Sequence, residues 1–96
     1  MSKLDSEKTL FIKGALTNET VMQHWEKIKP ALSSCVYEFL DLKDVTQSDS
    51  ASVALLLAIF RESMHVKCHI QFLNVPDQII EIAKVNGVIH FLPMSE

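Results

Sequence analysis

Phe39-Leu-Asp-Leu-Lys-Asp-Val-Thr-Gln-Ser-Asp-Ser-Ala-Ser-Val-Ala-Leu-Leu-Leu-Ala-Ile-Phe60 decides the fold. The stretch reads as three pieces. Residues 36–42 form a strand, and their apolar side chains fall on both faces, as in a central strand covered on both sides. Glu38 breaks that pattern and marks one face as only partly covered. A polar turn follows over 43–49, and a very apolar helix over 50–64. Thr46, Ser48, Asp49, Ser50 and Ser52 gather where the strand hands over to the helix. In open α/β sheets, strand ends and helix starts are where ligands and partners bind. This cluster is the candidate site.

The helix carries the next inference. At about 100° per residue, Leu56, Leu57, Phe60 and Met64 fall within about 60° of Val53. That stripe suffices to hold the helix on a sheet. Yet the opposite face carries Ala51, Leu55 and Ala58, flanked by Ala54 and Ile59, and Arg61 is the first charged residue of the helix. A helix apolar all round is either covered by more protein or docks on something. The occupants to weigh are another helix of the same domain, a partner protein, or a second copy of the chain, which would make the isolated protein a homodimer. Ala51, Leu55 and Ala58 join the candidate partner-binding residues.

Outward from this core, strands and helices alternate. Residues 1–8 read as a loose start, or as one short edge strand around Lys3 and Leu4. A β-rich run over 9–13 is ended by Gly14. Thr17 or Asn18 can cap a helix whose stripe is Val21, Trp25, Ile28 and Leu32, with Trp25 as its core anchor. Pro30 stops or kinks that helix near Lys29. Past the central helix, 69–73 is a strand with Ile70 and Phe72 facing one way. Pro76 opens a helix with Ile79, Ile82 and Ala83 inward, and Asn86-Gly87 ends it. A last short strand over 88–92 stops at Pro93. The expected fold is a single α/β domain over 1–96, a mixed, mostly parallel sheet of four to five strands with three or four helices.

Composition narrows the function. Apolar content of 48% with 22% charged residues is that of a packed domain. A net charge of -3 with no Lys/Arg block argues against nucleic acid. No apolar run approaches the ~20 residues that span a bilayer, and the polar N-terminus carries no signal-peptide core. A cytoplasmic chain keeps Cys35 and Cys68 as reduced, buried thiols.

Little chemistry is legible. Gly14 and Gly87 are the only glycines and lie apart, so there is no phosphate loop. His65, Cys68 and His69 are metal-type ligands close in sequence, but they bridge a helix end and a strand start, which splays them. Asp41 and Asp49 suit a turn and a helix cap better than acid–base work. No catalytic residue, cofactor or metal is expected. Ser50 is either a first-turn serine or a phosphorylation switch, where nearly two added negative charges would break a hydrophobic contact.

Together, Asp41-Leu-Lys-Asp-Val-Thr46, Asp49-Ser-Ala-Ser-Val-Ala-Leu-Leu-Leu57, Ile70-Gln-Phe-Leu-Asn-Val-Pro76 and Ile82-Ala-Lys-Val-Asn-Gly87 resemble a STAS domain. This is the fold of anti-sigma-factor antagonists and of sulfate-transporter tails. Within it, the Leu-Leu-Leu run, Trp25 and the free-standing length look most like the MlaB type. The resemblance implies a non-catalytic cytoplasmic subunit. It would bind the (MlaF-like) ATPase of an ABC transporter that includes a permease and moves phospholipid for outer-membrane lipid asymmetry. It would meet the inner face of the inner membrane through that partner alone. It also aligns Asp49 and Ser50 with the family's Asp and phosphorylatable Ser/Thr. Ser52 stands where the family often has Gly, and Gly14-Ala-Leu replaces Gly-Glu-Leu. The alternative is an antagonist-like regulator switched by phosphorylation of Ser50.

Overall fold

Every strand pairing among the described residues is parallel, and the strands lie in sequence order. The computed structural model describes residues 8–95, so the edge strand expected around Lys3 and Leu4, and any antiparallel pairing it would bring, lie outside them. The elements are β1 (Thr9–Leu16), α1 (Val21–Ser33), β2 (Phe39–Ser48), α2 (Ser50–His65), β3 (Gln71–Leu73), α3 (Asp77–Val85), a 3-10 turn (Ile89–Phe91) and β4 (Met94–Ser95). A parallel step needs a crossover, and right-handed crossovers through strands in sequential order put successive helices on one face. There α2 packs between α1 and α3. Leu16, Leu40, Leu42 and Phe72 of the sheet meet Leu56, Ile59 and Ile79 of the helices.

Several boundaries move from their sequence-based positions, each for a local reason. β1 passes through Gly14, which adopts φ +85° at a register shift against β2. A bulge there needs the left-handed conformation that glycine takes readily. α1 starts after Thr20, because Thr17–Thr20 closes its own turn: Thr20 N–H donates to the Thr17 carbonyl at 2.9 Å and Thr20 Oγ1 to Ala15 at 2.8 Å. The helix runs on through Pro30 to Ser33. Pro30 is exposed, so the carbonyl it leaves unpaired faces water, while buried Ile28 and Leu32 hold the last turn to the core.

β2 begins at Phe39 and absorbs most of the expected turn. Val36 lies outside it, 55% exposed. Asp44 to Ser48 are held as strand by pairing with Lys13 to Leu16 of β1, not by apolar content. α3 starts after Pro76 and buries Ile79 and Ala83; it ends at Asn86 and Gly87, the latter at φ +73°. The strand expected over 88–92 is instead the 3-10 turn, with β4 beyond Pro93, whose carbonyl accepts from Phe72 N–H at 2.8 Å.

The largest correction concerns α2. Its buried residues are Ser52, Val53, Leu55, Leu56, Ile59 and Ser63. At 100° per residue, that arc is turned by about 90° from one centred on Val53. Ser52 and Ser63 sit in the core because each hydroxyl bonds locally, to the Asp49 carbonyl at 2.6 Å and the Phe60 carbonyl at 2.7 Å. Their small size lets the helix approach closely. Met64, expected inside, is 54% exposed. Cys35 and Cys68 are not free thiols: they form a disulfide, with Cα atoms 5.5 Å apart.

Candidate docking site

Asp49 assembles the handover from β2 to α2. Its backbone is extended and its carboxylate caps the helix: Oδ1 accepts from Ala51 N–H at 2.9 Å. Oδ2 accepts from Asn18 N–H at 3.1 Å, across 31 residues of sequence. One side chain thus caps α2 and pins the loop that leads into α1. We expect Asp49→Ala to cost about 1–2 kcal/mol, since two N–H groups lose their acceptor. Asp49→Asn, which keeps one acceptor oxygen, should recover roughly half of that. Urea denaturation measures both.

Other sequence-selected residues divide by exposure. Ser50 is exposed in the first turn of α2, and Thr46 is exposed on the last turns of β2. Ser48 Oγ donates to Gln78 Oε1 at 3.1 Å, tying β2 to the start of α3. Ser52 and Leu55 are 0% and 5% exposed and so do not lie on the surface where they were placed. Asp41, also buried, accepts from Lys43 N–H at Oδ1 at 2.9 Å, and both of its carboxylate oxygens accept from Asn74 Nδ2 at 3.1 Å. It bonds a backbone N–H two residues on, as expected, but within β2 rather than in a turn, and it also holds Asn74 after β3.

Ala51 and Ala58, with Ala54, line a groove of about 390 Å³ whose other wall is Val21, Met22 and Trp25 of α1. Leu55 closes its floor, which is why α1 covers that residue. The apolar far face of α2 is therefore half covered by α1 and half open. Met22 is 63% exposed at the lip. Trp25 is half-buried: it packs against the core and also forms the wall of the groove, with Lys29 Nζ 5.9 Å from its ring centre. Sequence reasoning missed Met22 and Asn18. The available signal was Met22, an apolar residue about 100° from Val21 and about 60° from Trp25, at the margin of the stripe. Among the described residues no helix is long and apolar enough to cross a membrane, and no group of three His, Cys, Asp or Glu side chains is placed to hold a metal.

No curated protein matches the sequence. A solved structure titled as the anti-sigma factor antagonist SpoIIAA in its unphosphorylated form has a similar fold, with a TM-score of 0.68 at 19% identity. The match covers 98% of this chain and 85% of that one. The family model described as Mlab, STAS domain matches residues 1–93. The chain belongs to the MlaB-type STAS domain family.

Proposed function

We propose that the domain is a non-catalytic subunit that docks the ATPase of an Mla-type ABC transporter and supports its assembly and activity in phospholipid transport. The observation that carries this reading is the open apolar groove between α1 and α2, beside the exposed Ser50. Contiguous apolar surface rimmed by polar groups suits a protein partner. Membership of the MlaB-type family supports the choice of an ABC ATPase as that partner. Asn18, Met22, Ala51, Ala54 and Ala58 line the groove; Asp49 and Ser50 adjoin it in sequence, and Thr46 and Ser48 at the end of β2 would extend the polar contact, Ser48 on the side of α3. The ATPase supplies nucleotide chemistry; this chain supplies a docking surface and reaches the inner face of the membrane through that partner.

The test uses the tagged chain as bait on native membranes, read by mass spectrometry. Recovery of an ABC ATPase with its permease supports the reading. Recovery of a soluble serine kinase or an anti-sigma factor favours the second reading, a regulator switched at Ser50. The fold shared with an anti-sigma factor antagonist and the exposure of Ser50 next to Asp49 support that alternative. Ser50 variants separate the two. For the ATPase, chain made without any kinase binds fully, Ser50→Ala binds with little change, and Ser50→Asp loses roughly tenfold as a charge enters the groove lip. For a switched regulator, Ser50→Asp abolishes binding to the signalling partner. Calorimetric titration reads both.

A further inference from the structure

The two helices that wall the groove are also joined covalently at their far ends. α1 ends at Ser33 and α2 at His65, and the Cys35–Cys68 disulfide follows within three residues of each. Val21, Met22, Ala51 and Ala54 lie in the opposite, N-terminal halves of the same helices. The bond therefore fixes the separation of α1 and α2 from one end while the groove opens between them at the other. Both linking turns carry a side-chain-bearing residue in the left-handed region, Cys35 at φ 57° and Lys67 at φ 60°. Such conformations cost free energy and persist where surrounding structure holds them.

The two sulfurs differ in access. Cys68 is 7% exposed, whereas Cys35 is exposed. Both line a cleft of about 420 Å³ at the N-terminal ends of β2 and β3, together with Lys67, His69 and Glu38. Glu38 is already paired with Lys8 at 3.4 Å. The Lys67 ammonium in the same cleft favours a departing thiolate. In a reducing compartment, where an ABC ATPase works, disulfides of mesophilic proteins are mostly transient or redox-sensing.

We propose that Cys35–Cys68 is a reversible redox clamp on the α1–α2 pair, opened by a dithiol reductant. Its effect on docking rests on the ATPase reading above; its chemistry does not. One thiolate of the reductant attacks exposed Cys35 Sγ. The Cys35–Cys68 bond breaks, and Cys68 leaves as a thiolate that takes up a proton. The second thiol of the reductant then attacks the mixed disulfide and releases Cys35. The reductant becomes a disulfide, and the domain gains two electrons and two protons.

The test uses the full chain without denaturant. Alkylation with iodoacetamide and intact-mass measurement should show two added groups after dithiothreitol and none after oxidised glutathione, in repeated cycles. In the reduced form, amides of 32–35 and 64–68 should exchange hydrogen about tenfold faster. The midpoint of thermal unfolding should fall by roughly 10 °C. The double variant C35S/C68S should behave as the reduced form under both conditions. Thiols that stay alkylatable after oxidised glutathione overturn the proposal, as does a bond reducible only in denaturant or unchanged amide exchange. With purified ATPase subunit, an affinity difference of about threefold or more between the two forms is expected. Equal affinity overturns the clamp as a control on the groove. No binding by either form overturns the docking reading instead, and the thiol and exchange readouts still judge the clamp.

Discussion

On the proposed docking reading, Ala54→Glu is expected to leave the domain folded and to weaken binding of the ATPase by about 100-fold, or ~3 kcal/mol. Ala54 is exposed on α2 and lines the groove opposite Met22 and Trp25. Glutamate is a good helix former, and the position is exposed to water in the free domain. Nothing in the free domain opposes the change. In the complex, the same carboxylate would be trapped between apolar walls without a cationic partner, and an unpaired buried charge costs several kcal/mol. Circular dichroism melting checks the fold, and surface plasmon resonance with purified ATPase subunit checks the affinity. An unchanged Kd from a variant with an unchanged melt would remove the groove from the interface.

Leu55→Glu, one residue along, has the opposite signature: the chain fails to fold. Leu55 is 5% exposed beneath α1. Losing its burial costs about 2–3 kcal/mol, and placing a carboxylate there costs several more. A domain of this size has only about 5–15 kcal/mol in total. The variant should lose its cooperative thermal transition and most of its helical circular dichroism. Cooperative melting near the wild-type midpoint would contradict the packing of α1 over α2. The adjacent pair Ala54 and Leu55 thus separates docking from folding on a single helix turn.

The order of strands and helices was legible because each core segment is strongly patterned. Leu40 and Leu42, Ile70 and Phe72, and Ile79 and Ala83 all lie inside, as their spacing predicts. The rotation of α2 was not legible. Hydropathy centres the helix on Val53, Leu57 and Phe60, while the fold centres it on Ser52, Leu56, Ile59 and Ser63. A serine satisfied by its own helix is as good a core residue as alanine, but a sequence pattern counts it as polar. Leu55 was misplaced for the same reason, and with it part of the expected interface. Ala51 and Ala58 line the groove because it follows α2 along the seam with α1. The disulfide was hidden too: 33 residues separate Cys35 from Cys68, and composition suggested a reducing compartment rather than a spatial pair.

One feature of β2 reaches beyond docking. On β2, β3 pairs only with Phe39, Leu40 and Asp41, so among the described residues the strand pairing of Asp44 to Ser48 is with β1 alone. The second side of that segment is a row of backbone donors and acceptors that another chain could extend. Exposed Lys43, Asp44, Thr46 and Gln47 occupy it, and charged or polar side chains are what discourage strand addition at an open edge. The composition that makes this segment read as a turn is thus a solubility device. It keeps a long strand beside the candidate site from seeding aggregates in the free domain.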